Sequence, residues 1–202
     1  MIQDRPPRPY SRTKRDAKAA ETRERLLQAA LALLRGPGNE GFSLDAVATT
    51  AGVTRLTVYN QFGSRKGLLE AAFDALAVAG GMNDLASAMA IADPQVGLAQ
   101  LVMVFCRFWS SDDALAELYA AAAIDKELAN SLAARNERRR KALTVLVRRQ
   151  GGRDEQCQRD VVDTLFALTS YPMFQMLNST ERNADAICAM IQPLCEHVLA
   201  GK

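Results

Sequence analysis

The segment SLDAVATTAGVTRLTVYNQF, Ser43 to Phe62, ends in side chains suited to hydrogen bonding with nucleic acid. Arg55 can bridge the O6 and N7 atoms of guanine, and Asn60 or Gln61 the N6 and N7 atoms of adenine. The hydroxyls of Thr54, Thr57 and Tyr59 suit phosphate oxygens. A helix face that merely meets solvent more often carries Lys and Glu in i,i+4 pairs. Here no acidic residue occurs between Asp45 and Glu70, which favours a phosphate-facing surface.

To present those side chains the segment must fold as two short crossed helices. Behind Ser43, a good N-cap, Leu44, Val47, Ala48 and Ala51 form one apolar face. Behind Thr54, Val53, Val58 and Phe62 supply the inward face of the next helix. Ala48 is small enough for close backbone approach, and Gly52 can take the positive φ of a tight turn. This pattern predicts a helix-turn-helix. An ordinary helical hairpin would share its periodicity, so the polar outward face is what discriminates.

The rest of the chain reads as helix too. Thr22–Arg35 carries the stripe Leu26, Leu27, Ala30, Leu33 and Leu34, ended by Gly36-Pro37-Gly38. Ser64 caps Arg65 to about Ala79, which Gly80-Gly81 breaks. Asp93-Pro94 opens Gln95–Trp109 as an N-cap followed by proline. Ala114–Ile124, Lys126–Gln150, Gln156–Leu177 and Ala184–Leu199 follow. No stretch shows strand alternation, so the fold class is all-α with about nine helices. Pro172 is expected to kink the helix it interrupts.

Composition excludes several chemistries. The 202 residues hold 25 Lys and Arg against 23 Asp and Glu. The first 70 residues carry 12 basic and 7 acidic side chains, a basic N-terminal third that suits a polyanion-binding module. No apolar run reaches the ~18–20 residues of a membrane helix; Leu101–Cys106 stops at Arg107. The N-terminus MIQDRPPRPYSRTKRD has charge and proline where a signal peptide is apolar. A soluble, cytoplasmic protein is expected. Cys106, Cys157, Cys188 and Cys195 show no CxxC, and His197 is the only histidine, so no metal and no cofactor is expected. No phosphate-binding glycine loop or His-carboxylate motif marks an enzyme.

Over Thr22–Ala71 the chain resembles the TetR (tetracycline-repressor-like) family of bacterial regulators. The resemblance runs through AALALLRGPGNEGFSLDAVATTAGVTRLTVYNQFGSRKGLLEAAF. Its strongest pieces are Ala48 with Ala51-Gly52-Val53, then Thr57-Val58-Tyr59, Phe62, Ser64 and Leu68-Leu69. It implies that Ser43, Thr54, Thr57 and Tyr59 touch phosphates and that Arg55 and Asn60 reach base edges. Leu56 stands where the family usually has a small residue, and there it can contact a thymine methyl or crowd the groove. Arg65 replaces a common lysine and keeps its phosphate-binding charge, while Lys66 replaces an acidic residue.

The implied organisation is a basic flexible arm over 1–18, a DNA-binding domain over 19–71 and an effector-binding and dimerisation domain over 72–202. The arm, with Pro6, Pro7 and Pro9, is expected to be extended or disordered, either a solvated tail or an arm that follows phosphates or enters a minor groove. The expected partners are a double-stranded DNA operator, a small apolar or aromatic effector, and a second copy joined through the last two helices. Seam candidates are Val161, Val162, Leu165, Leu168, Ile187, Met190, Ile191, Leu194 and Val198; an intramolecular core explains the same stripes.

Candidate effector contacts are Phe105, Phe108, Trp109, Tyr119, Phe166, Tyr171, Met173 and Phe174. Charge near them is expected to be sparse, and the run Arg138–Lys141 is expected to be a solvated outer face. The function this implies is a repressor that releases a palindromic operator on effector binding. A ligand-independent architectural or adaptor DNA-binding protein, or an activator, is the alternative.

Overall fold

The computed structural model describes residues 10–36, 42–179 and 182–201, with side chains from residue 14 onward. Among them are eleven helices and no strand beyond one isolated bridge between Ser179 and Arg182. The chain divides into two compact units, residues 1–72 and 73–202, with the boundary inside the fourth helix.

The N-terminal unit holds α1 (Tyr10–Leu34), α2 (Leu44–Ala51), α3 (Arg55–Phe62) and the start of α4 (Arg65–Ala79). Its core is the apolar stripe of α1 (Leu26, Ala30, Leu34) with Val47 and Ala48 of α2, Val58 of α3, and Leu68 and Leu69 of α4. Ser43 Oγ accepts from the Ala46 N–H at 3.1 Å, and Thr54 Oγ1 accepts from the Thr57 N–H at 3.3 Å. These caps satisfy donors that the first turns would otherwise leave open. Between the helices Gly52 takes φ 65°, and the Val53 N–H closes the turn on the Ala48 carbonyl at 2.9 Å.

Helix α1 begins earlier than the sequence suggested. Residues 10–18 are helical rather than extended, because no proline follows Pro9 and Lys14, Arg15, Ala17 and Lys18 are good helix formers. Residues 1–9 of the expected arm, with its three prolines, lie outside the described residues.

The C-terminal unit holds the rest of α4, α5 (Asp84–Ala90), α6 (Pro94–Trp109), α7 (Ala114–Ile124), α8 (Lys126–Gln150), α9 (Glu155–Leu168), α10 (Tyr171–Leu177) and α11 (Ala184–Ala200). Helix α6 is its centre, packed against α5, α8 and α11. Leu98, Leu101, Val102, Val104, Phe105, Phe108 and Trp109 are all buried along it. Asp93 caps α6 through its carboxylate, accepting from the Gln95 N–H at 2.8 Å, with Pro94 in the first turn.

Two further differences have local causes. The expected single helix 156–177 is two, because Ser170 caps a new helix by accepting from the Met173 N–H at 3.2 Å. Pro172 therefore sits in a first turn, where its missing N–H costs nothing, and does not kink a helix. Pro193 is the proline inside a helix, within α11. The short α5 was not expected at all; its seven residues are too few to show a period.

Candidate functional site

Helix α3 turns a single fully buried side chain, Val58, toward the core of its unit. Thr54, Arg55, Leu56, Tyr59 and Asn60 are exposed, and Thr57 and Gln61 half-buried. The structure thus gathers the sequence-predicted residues of this helix on one outward surface, with Leu56 66% exposed and Tyr59 56%. Thr54 and Thr57 also share a hydroxyl contact of 3.0 Å. Arg55 forms an ion pair with Asp45 of α2 at 3.3 Å, with both side chains about two-thirds exposed. Such a pair is weak in water, so Arg55 can be drawn away at little cost.

Several residues that fix α3 were not singled out from the sequence. Arg23 of α1 donates to the Gln61 carbonyl at 2.9 Å and lies over the Phe62 ring at 4.4 Å. It therefore satisfies one of the carbonyls that α3 leaves open at its C-terminus. Gly67 is required by close approach: a Cβ there would overlap the Phe62 carbonyl oxygen. Arg65 donates from Nε to the Phe42 carbonyl at 3.4 Å and lies over the Phe42 ring at 5.5 Å. That guanidinium latches the entry to α2 as well as facing outward in part. Ser43 is half-buried, with its hydroxyl engaged as the α2 cap.

In the C-terminal unit an aromatic cluster forms around Trp109. Its neighbours are Phe108 at 4.7 Å, Tyr171 at 5.4 Å, Phe105 at 5.9 Å and Tyr119 at 6.1 Å between ring centroids. Tyr119 and Tyr171 stack at 4.2 Å. Phe105, Phe108, Trp109 and Tyr119 line a cavity of about 240 Å³. Tyr171 and Phe174 instead share with Trp109 a second cavity of about 230 Å³, which Asp112 and Asp113 make polar. Phe166 and Met173 line neither. A larger cleft of about 620 Å³, walled by Met103, Cys106, Arg107 and Cys188, contains none of the eight expected contacts.

The expected scarcity of charge is overturned. Arg135 and Arg139 of α8 line the 240 Å³ cavity, and Arg139 is only 4% exposed. The run Arg138–Lys141 is therefore not a wholly solvated face: a helix turns 100° per residue, and Arg139 falls on the inward side beside Leu132, Leu143 and Leu146. Its guanidinium lies over the Phe166 ring at 4.2 Å and the Phe105 ring at 5.6 Å. Nη1 donates to Thr169 Oγ1 at 3.3 Å, while Trp109 Nε1 donates to the Thr169 carbonyl at 3.1 Å.

Burial pushes Arg139 down to about 10, with Tyr119 opposing the shift and Arg140 adding to it. Burial pushes the Tyr119 phenol up to about 12, against the pull of Arg139. Both stay in their ordinary neutral-pH states, the arginine charged and the phenol protonated. Tyr171 is also raised, by burial first and then by Asp113 and Glu117.

The seam candidates separate. Val162, Leu165, Ile187 and Ile191 are buried in the core of their own unit, so an intramolecular core claims them. Met190 and Leu194 of α11 are 43% and 51% exposed. Among the described residues no group of His, Cys, Asp or Glu could hold a metal, and no helix is long and apolar enough to cross a membrane.

Residues 26–72 match the profile of the family described as bacterial regulatory proteins, tetR family. Among curated proteins none is similar to the chain. Solved structures share its fold. One is a proposed transcriptional regulator from Saccharomonospora viridis in complex with choline: 18% identity over 88% of this chain and 97% of that one, TM-score 0.67. Another is a TetR-like transcriptional regulator from Rhodococcus sp. RHA1: 19% identity, 98% and 100% covered, TM-score 0.65. A third is the fatty acid degradation regulator FadR from Bacillus halodurans: 17% identity, 89% and 95% covered, TM-score 0.63.

Proposed function

We propose that this chain, which belongs to the TetR family of bacterial regulatory proteins through its N-terminal unit, is a repressor that releases a palindromic operator when a small effector binds. DNA binding is carried by one observation above the others, the outward surface of α3. Arg55 and Asn60 are assigned to base edges, Thr54, Thr57 and Tyr59 to phosphates, and Leu56 to a thymine methyl. Ser43 and Arg65 add backbone contacts at the flanks.

One helix of eight residues reads few base pairs. A two-fold dimer doubles the reading over half-sites about one helical turn apart. We assign the dimer seam to the helices that end the chain, with Met190 and Leu194 of α11 at its centre. These are apolar side chains that the protomer leaves in water. Residues 72–202 are assigned to effector binding and dimerisation. The aromatic cavity supports the effector role, as does the ligand named for a structure of the same fold, choline in the S. viridis protein. An effector that prefers one geometry of the dimer shifts the population away from the operator-binding one.

The test is selection of bound fragments from the source genome at defined salt. Enrichment of a palindrome, lost on adding an effector, is expected. Salt-sensitive binding without sequence preference would overturn the base-reading roles and favour an architectural protein.

A further inference from the structure

We propose that the cavity between α6 and α8 selects a small organic acid, a single ring or short apolar body bearing one carboxylate, and that Arg139 is its anchor. This deepens the effector reading above and rests on it.

The argument begins with charge compensation along α8. Arg135 pairs with Asp74 at 2.7 Å, and Arg140 pairs with Glu137 and Asp163. Arg139 lies between them, is the most buried of the three, and has no carboxylate partner among the described residues. A buried cation without a counter-ion is among the costliest features a core can retain. Ring faces offset part of that cost, and the single bond to Thr169 Oγ1 is long at 3.3 Å. The Nε of Arg139 is buried with no acceptor at all. That unfilled donor leaves the guanidinium short of acceptors within the protein.

The remaining walls fit the rest of the molecule. Tyr119, held in its protonated form, offers a hydroxyl donor on the same cavity. Phe73, Phe105, Phe108 and Trp109 supply faces and edges for an apolar body. The volume of about 240 Å³ falls below the roughly 300–1,000 Å³ of drug-sized sites, and its walls hold about one ring. Asp74 already neutralises Arg135, and Arg138, the third arginine of the wall, is exposed to water, so Arg139 is the one buried cation left uncompensated. A monoanion balances it.

The experiment uses the full chain and measures thermal shift and titration calorimetry. The probes are benzoate and phenylacetate, the neutral isosteres benzamide and phenylacetamide, and tetramethylammonium as a cation. The acids are expected to raise Tm and to bind at least about ten-fold more tightly than their amides. In Arg139→Met the preference for acid disappears, while the Tm of the unliganded variant holds or rises because a buried charge is gone. A purely structural Arg139 would lower Tm and leave the acid-to-amide ratio unchanged, overturning the proposal. Amides or tetramethylammonium binding as well as the acids, or no acid binding, would overturn it too. If Arg139→Met fails to fold, Arg139→Gln and the wild-type comparison decide. Operator binding is measured separately without ligand. A chain that binds operator but ignores acids refutes the anchor and spares the regulator reading; one that takes acids but binds no DNA does the reverse.

Discussion

The two units of this chain solve opposite problems. The N-terminal unit buries apolar side chains so that polar ones can be displayed: α3 commits Val58 inward and exposes Thr54, Arg55, Leu56, Tyr59 and Asn60. The C-terminal unit does the reverse at its centre, gathering rings around a cavity and placing a cation, Arg139, among them. Display rests on a local register, set by two caps and a turn, with Arg23 and Gly67 holding the end of α3. Enclosure needs side chains from α4, α6, α7 and α8 to converge, which no local pattern specifies. A side chain on the displayed surface can change with little effect on folding, whereas Arg139 in the enclosed site is retained against the cost of its burial.

The largest expected effect tests whether display by one protomer suffices. Leu194→Glu places a charge in the assigned seam while leaving the buried face of α11 (Ile187, Ile191, Cys195, Leu199) intact. The variant is expected to be monomeric by light scattering and to lose about 10²–10⁴-fold in operator affinity, the avidity of two linked half-sites. A dimer of unchanged operator affinity would move the seam elsewhere.

The next effect separates two glycines of the displayed unit. Gly67→Ala drives a Cβ into the Phe62 carbonyl, which cannot retreat without moving the end of α3; a cost of about 3 kcal/mol is expected. At Gly52 a Cβ meets nothing, and only the φ of 65° opposes it, so about 1–2 kcal/mol is expected. Urea unfolding followed by circular dichroism gives both values; the reverse order would refute this account of the α3–α4 junction.

These glycines also mark what the sequence makes legible. Gly52 belongs to a local pattern, Ala48 to Val58, that anyone can read from spacing. Gly67 does not, because its partner is a backbone atom brought close by the turn at Gly63-Ser64. The same division runs through the whole molecule. The caps Ser43, Thr54 and Asp93 act within three residues of themselves and were readable. So were the helices of the C-terminal unit, apart from α5 and the α9–α10 break, where a serine cap outweighs a continuous apolar stripe. The aromatic candidates were readable as apolar and mostly buried, yet their division between two cavities was not. Arg139 was misread because a run of four cations suggests solvent; its burial follows from the phase of α8 against α6 and α9, which only assembly fixes. The chemistry of the displayed site was therefore visible at once, and that of the enclosed site was visible only after folding.

A smaller effect sharpens the display side. Arg55→Ala is expected to lose about 1–3 kcal/mol of operator affinity and to relax preference at one base pair, with unfolding stability unchanged because its ion pair is exposed. Asp45→Ala is the matching control. It releases Arg55 from its intramolecular partner and removes an acidic group, so operator affinity is expected to hold or rise. Should Asp45→Ala weaken binding as much as Arg55→Ala, the ion pair itself orients Arg55, and display depends on more than local register.

The smallest effect probes the enclosed charge through alkaline pH. Tyr119 is raised above its ordinary value of 10 to about 12. Between those values the unfolded chain has already lost the proton that the folded chain retains, so this group makes stability fall as pH rises. Arg139 is lowered from 12.5 to about 10. Over that window the unfolded chain holds the proton more firmly, and stability rises with pH. In the wild-type protein the two slopes oppose each other. Tyr119→Phe is expected to leave a rising slope above pH 10 and Arg139→Met a falling one, both read from urea midpoints in alkaline buffer. Identical slopes in the two variants would mean that burial does not shift the guanidinium and the phenol in opposite directions, and the enclosed site would lose the desolvated charge on which its selectivity for an acid depends.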